Sequence, residues 1–144
     1  MNIKNPTGTV LSSIEQAIKE YRKISQKNIS KIVKDITVDQ CLILIILQND
    51  ANISQNELAN LIYKDKASVT RMIELMVKKE YLIRAIHQED RRKFILEITE
   101  KGKKTFDLIT PVITLNRKIA LNSLSLEEIE SLEKMLSKII INYK

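Results

Sequence analysis

A chain of 144 residues, 44% hydrophobic, can bury one respectable core, and a single domain is the expectation. One cysteine excludes an internal disulfide framework, and with one histidine it cannot supply the three or four His and Cys ligands of a dedicated zinc site. Two glycines leave no phosphate-cradling loop or dinucleotide fingerprint, so neither metal nor cofactor is expected. The formal charge of +6 suits a polyanionic partner, although a solvated surface or an anionic membrane also fits. The longest apolar run, Cys41 to Leu47, is too short for a bilayer, and no leading segment has the pattern of a signal peptide. A soluble, cytoplasmic protein that does not engage membranes is therefore expected.

In chain order, the first eight residues, with Pro6 and Gly8, read as a frayed lead-in. From Thr9, the residues Val10, Ile14, Ala17, Ile18, Tyr21 and Ile24 form one stripe at helical spacing, about four to five turns long. Gln26 to Ile36 is polar and basic and reads as a connection. Thr37 followed by Gln40 has capping-box spacing and opens a helix over the apolar block Val38 to Leu47, which is central to the core. Asn49, Asp50 and Asn52 end it with turn-favouring residues. A second capping box, Ser54 and Glu57, opens ISQNELANLIY, with Leu58, Ala59, Leu61 and Ile62 as its apolar face. The turn that follows, Tyr63 to Asp65, lacks the glycine often found between two such helices.

The next helix places Ala67, Val69, Met72, Ile73, Leu75, Met76 and Val77 inward and leaves Lys66, Ser68, Thr70 and Arg71 outward. The period then changes. Leu82, Ile83, Ala85 and Ile86 lead to a polar turn at Gln88 to Arg92, and Phe94, Ile95, Leu96 and Ile98 return as a second strand. After Gly102 a helix carries Phe106, Ile109, Ile113, Ile119 and Leu121, with Pro111 predicting a kink near residues 107 to 111. A third capping box, Ser125 and Glu128, begins a last helix whose stripe runs through Leu126, Ile129, Leu132, Leu136, Ile139, Ile140 and Tyr143.

Two short helices and a charged hairpin compose a winged helix-turn-helix, in which a helix enters the major groove of double-stranded DNA and the wing reaches the neighbouring minor groove or backbone. Residues 61 to 104 hold twelve Lys and Arg against seven acids, leaving +5 of the total of +6 where phosphate contact would be made. The fold class expected is mainly α: a winged helix-turn-helix lobe over about 37–99, framed by terminal helices over about 9–25 and 100–143. Those terminal helices have apolar faces beyond the needs of a small DNA-binding module. A homodimer is the economical explanation, and it matches the two-fold symmetry of a palindromic operator.

The residues DRRKFILEITEKG, Asp90 to Gly102, resemble the wing signature of the MarR (multiple antibiotic resistance regulator) family of bacterial transcription factors. ASVTRMIELMVKKEYLIR, Ala67 to Arg84, is similar to that family's recognition helix and first wing strand, and ISQNELANLI precedes it in the same order. Glu80 departs from the pattern, because the family commonly has glycine after the recognition helix. A left-handed backbone there would cost a non-glycine residue about 1 kcal/mol.

The resemblance implies a sequence-specific regulator, most simply a repressor relieved by a small-molecule effector. It makes Ser68, Thr70 and Arg71 base or phosphate contacts with Lys66 as a further candidate, and it places Arg91, Arg92 and Lys93 at the wing tip. There Arg92 would grip the minor groove while Asp90 orients it. It also implies a ligand crevice between the dimerisation helices and the DNA-binding lobe, with Tyr21 and Gln40 as candidate lining residues. The plainer readings are a solvated helix face and a hairpin kept soluble by its charges. Cys41 reads as a small buried hydrophobe rather than a redox sensor, and His87 as an incidental polar residue at a strand end. The rival function is a winged-helix interaction module that does not read DNA sequence. An enzyme is not expected, because His87, Glu89 and Asp90 sit on an exposed hairpin with no nucleophile beside them.

Overall fold

The computed structural model describes residues 7–90 and 94–144. Among these the chain forms α1 (Val10–Ser30), α2 (Val38–Asn49), α3 (Gln55–Leu61), α4 (Lys66–Lys78), β1 (Leu82–Ile86), β2 (Phe94–Ile98), α5 (Glu100–Ala120) and α6 (Leu126–Ile141). The architecture is a winged helix-turn-helix with a two-stranded wing between long terminal helices, and no described helix is long and apolar enough to cross a membrane.

Local chemistry sets most of the helix starts. Thr37 and Gln40 form a complete capping box at α2, as do Ser125 and Glu128 at α6. At α3 the Ser54 hydroxyl accepts from Glu57 N at 3.1 Å, but Glu57 turns its carboxylate to the Ser54 hydroxyl, so the reciprocal half of the expected box is missing. Helix α1 overruns the expected connection by a turn. Ile29 is fully buried, and Gln26 bridges forward, donating to the Ile36 carbonyl at 3.0 Å and accepting from Val38 N at 2.9 Å. Tertiary contact therefore holds a polar stretch helical to Ser30 that has little local reason to be so.

The core is built from α2, α4, α5, the wing base and the end of α1. Ile29, Ile43, Leu44, Val69, Ile73, Met76, Leu82 and Ile109 are its centre. Two expected inward residues of α4, Ala67 and Leu75, are exposed, as is Leu61 of α3. Val69, Ile73 and Met76 at intervals of four and three already fill the narrow stripe that faces the core, and positions 67 and 75 fall outside it. In the wing, β1 and β2 pair antiparallel with Leu82 opposite Ile98 and Arg84 opposite Leu96. This register puts buried Leu82 and Leu96 on the core side and leaves Ile83 exposed. Helix α5 runs unbroken through Pro111, and the Thr110 hydroxyl donates to the Phe106 carbonyl at 2.6 Å one turn back.

Two helix ends use left-handed residues without glycine. After α3, Tyr63 has φ 58°, Lys64 N reaches the Ala59 carbonyl and Tyr63 N the Asn60 carbonyl. After α4, Glu80 has φ 66°, with Tyr81 N on the Met76 carbonyl and Glu80 N on Val77. Both are Schellman endings that satisfy orphan carbonyls at the cost of strain in a residue bearing a Cβ. The second keeps the backbone that glycine would serve, so Glu80 is tolerated rather than accommodated by a reshaped helix end.

Candidate nucleic-acid interface

Helix α4 starts at Asp65, whose carboxylate accepts from Ser68 N at 2.8 Å and from the Ser68 hydroxyl at 3.0 Å. The Ser68 backbone bond, then its hydroxyl, hold the Asp65 carboxyl below its ordinary range. Ser68, expected to point at DNA, thus has its hydroxyl engaged in the cap, and its side chain is half-buried. Thr70 is also half-buried, its hydroxyl 3.4 Å from Gln55 Oε1 of α3. Lys66 and Arg71 are exposed, and Arg71 lies opposite the buried stripe with Ala67, Glu74 and Lys78 around it. Of the four expected contacts on α4, the structure leaves Lys66 and Arg71 open and ties the two hydroxyls to neighbours.

The wing is pinned at its base. Thr99 caps α5 by accepting from Gly102 N at 3.0 Å, and its hydroxyl lies against the carbonyls of Glu80 and Tyr81. A Cβ on Gly102 would stand 2.4 Å from the Tyr81 carbonyl oxygen and 2.6 Å from Ile98, so only glycine permits this approach of α5 to the wing. Buried Tyr81 donates to Asp35 Oδ1 at 2.6 Å, Lys79 donates to the Asp35 carbonyl at 2.7 Å, and Lys101 lies 4.5 Å from the Tyr81 ring centre. The Tyr81 hydrogen bond, with Lys79 and Lys101 adding to it, lowers the Asp35 carboxyl. Burial first, and then that same bond, push the Tyr81 phenol up.

At the tip, His87 Nδ1 accepts from the backbone N–H groups of Glu89 and Asp90, each at 3.1 Å. His87 is therefore the organiser of the turn rather than an incidental residue. Asp90 is half-buried beside it. Arg91, Arg92 and Lys93 lie outside the described residues, and so does the expected pairing of Asp90 with Arg92.

Between the start of α4 and the hairpin runs a groove of about 650 Å³ lined by Asn52, Ser54, Gln55, Lys66 and His87, among others. Asn52 and Gln55 carry no sequence signal for this face, because their amide groups lie in a turn and a short helix whose signal is capping alone. The face is also tied to the long terminal helix: Arg22 of α1 pairs with Asp39 of α2, and Lys64 in the turn before α4 stands 3.8 Å from the other Asp39 oxygen.

The two expected ligand-lining residues do not meet. Tyr21 lines space between α1 and α5, whereas Gln40 is buried at the start of α2 with Oε1 accepting from Thr37 N, and it does not line the cavities that Tyr21 lines. Cys41 is fully buried and desolvation pushes its thiol up to about 12, the state of an inert core residue.

Comparison with known proteins agrees with this geometry. SarZ, an HTH-type transcriptional regulator of Staphylococcus aureus, is 26% identical over 69 residues, 48% of this chain and 47% of SarZ. The chain spans about half the length of the curated relatives it matches. Among solved structures, a mutant MarR of E. coli complexed with operator DNA superposes with a TM-score of 0.83 at 21% identity, over 96% of this chain and 99% of that one. The S. aureus MepR–DNA complex gives a TM-score of 0.84 at 20% identity over 97% and 100%. Residues 36–94, from the lead into α2 to the start of β2, match the model of the MarR family, and the fold shared with the solved structures extends into both terminal helices.

Proposed function

We propose that this protein is a transcriptional regulator that binds double-stranded DNA as a homodimer, acting as a repressor of a palindromic operator and released by a small-molecule ligand. The observation that carries the reading is the exposed part of α4, where Arg71 stands opposite the buried stripe and Lys66, at the helix's first residue, lines the adjoining groove beside the wing, in a region of net charge +5. The operator DNA bound by the MarR neighbour and the DNA bound by the MepR neighbour support it further. Lys66 and Arg71 are the primary contacts, with Thr70 and Ser68 entering once DNA competes for their hydroxyls, and Arg91, Arg92 and Lys93 gripping the minor groove from the wing.

The apolar faces of α1 and α6 support the homodimer. Val10, Leu126 and Ile141 are 70%, 81% and 68% exposed, and an apolar groove of about 630 Å³ runs between α1, the end of α5 and α6. In this reading the domain divides functionally into a DNA-reading lobe over about 37–99 and dimerisation helices over about 9–25 and 100–143. Two α4 helices then meet successive major grooves roughly 10 base pairs apart, and a ligand that favours another separation releases them.

The test is fluorescence anisotropy on duplexes selected from host genomic fragments by the purified protein. Selected duplex is expected to bind at least about 1,000-fold more tightly than random duplex at physiological salt. Arg71→Ala is expected to weaken binding and flatten the salt slope by about one. Equal affinity for random duplex would remove the sequence-specific reading.

A further inference from the structure

We infer that His87 is a phosphate-contact residue of the nucleic-acid interface, fixed by its own turn as a neutral donor toward the groove beside α4. Its Nδ1 accepts from the backbone N–H groups of Glu89 and Asp90, each at 3.1 Å. A ring nitrogen that accepts two hydrogen bonds carries no proton, so the imidazole is neutral and its hydrogen sits on Nε2. Nε2 lies on the side of the ring away from the turn and has no hydrogen-bond partner among the described residues. The side chain is half-buried and lines the groove of about 650 Å³ between α4 and the hairpin. The turn thereby decides which nitrogen presents a hydrogen to an occupant of that groove.

The other polar groups of the groove define the partner. Lys66 brings a positive charge and Gln55 an amide to the same walls. Glu57 is the carboxylate among the lining residues, and its Oε1 is taken by the Ser54 hydroxyl at 3.2 Å. Glu89 and Asp90 follow His87 in its turn, and their backbone N–H groups are what meet Nδ1. One cation and several neutral donors along an open groove suit an anion that offers many acceptor oxygens for little charge, the phosphodiester of a nucleic-acid strand. The inference rests on the proposed function in taking duplex DNA as the source of that phosphate. It adds a contact of a different kind from Lys66 or Arg71, because a neutral donor positions the backbone without releasing a counterion.

The experiment measures binding of selected and random duplex by the full-length protein, His87→Ala and His87→Asn at about pH 8.5, above the range in which imidazoles titrate. Asparagine Oδ1 stands at the same chain position as Nδ1 and accepts from N–H groups of the residues that follow, but it puts nothing in the place of Nε2. NMR shifts of the Glu89 and Asp90 amides report whether the turn is kept. Both variants are expected to weaken both duplexes about fivefold, with the turn kept in His87→Asn. The slope of affinity against salt is expected to stay as in the wild type, whereas Lys66→Ala flattens it by about one. If asparagine does not hold the turn, the imidazole nitrogen shifts of the wild type still decide: an Nε2–H tautomer whose Nε2 signal moves on adding random duplex is expected. Wild-type affinity in His87→Asn with the turn kept, which a purely structural role would give, overturns the contact. A flattened salt slope in His87→Ala, or a loss confined to selected duplex, overturns it as well. So do saturable Nε2 shifts with inorganic phosphate at the same ionic strength, which would assign the groove to a free anion. Random duplex bound by the wild type as tightly as selected duplex would instead sink the sequence-specific reading and leave this contact standing, because a backbone phosphate is indifferent to sequence.

Discussion

The two halves of this molecule solve the burial problem differently. From Ile29 to Ile113 the chain closes its own core: α2 is apolar nearly all round and contributes five buried residues, and α4, the wing base and α5 complete the enclosure. Helix α6 has no buried residue at all, and α1 buries only Ser25 and Ile29 near its end, although both carry strong apolar stripes. A lobe that finishes its core within one chain is stable by itself, whereas long amphipathic helices left uncovered call for a partner surface. In the proposed homodimer the lobe would stay rigid while the terminal helices set its separation from the second copy.

The sharpest way to break this contrast is to truncate one residue from each half. Leu44→Ala, in the dry core, is expected to lower unfolding stability by about 3 kcal/mol in urea denaturation, independently of protein concentration. Leu136→Asp, on the uncovered groove, is expected to shift sedimentation from dimer to monomer while each chain keeps its helical circular dichroism. A concentration-independent loss in both would erase the distinction between the halves.

Within the closed half, Gly102→Ala drives a Cβ into the Tyr81 carbonyl, a backbone atom with little freedom to yield, and is expected to cost about 2 kcal/mol in the same denaturation. Tyr81→Phe removes the bond to Asp35 and is expected to cost about 1 kcal/mol at neutral pH. The pH dependence has a definite sign at each end. Asp35 is lowered from its ordinary 3.8, so its contribution is complete above that value and disappears as pH falls through the folded value. Tyr81 is raised from its ordinary 10.0, so its contribution is complete below that and is lost as pH rises further. The gap between wild type and Tyr81→Phe should therefore be widest between about pH 4 and 10 and close on both sides. The smallest expected change is a gain: Glu80→Gly relieves the left-handed strain and is expected to raise stability by about 0.5–1 kcal/mol, net of the extra freedom glycine has when unfolded.

Capping chemistry made several boundaries readable in advance. Thr37, Ser54 and Ser125 each accept from the backbone N–H three residues on, whereas the residue types left open whether Glu80 after α4 would be left-handed, as it is, or the helix end reshaped. What could not be read were facts of orientation and company. Residues 26–30 are polar, and only the burial of Ile29 and the bridge from Gln26 keep them helical. Seven apolar positions in α4 looked inward, but the core has room for a narrow stripe, and Ala67 and Leu75 fall outside it. His87 looked idle until the hairpin brought two backbone N–H groups to its ring.

Residue order alone therefore determined the succession of helices and hairpin, the site of excess positive charge and the amphipathic faces at both ends, because caps, periodicity and charge act over three or four residues. Only the tertiary structure decided which outward side chains are open, Lys66 and Arg71, and which are held by neighbours, Ser68 and Thr70. It alone separated Tyr21 from Gln40 and brought His87 and Lys66 to a shared groove. Such pairings join positions far apart in the chain, and they exist only once packing has chosen the distance and rotation between elements.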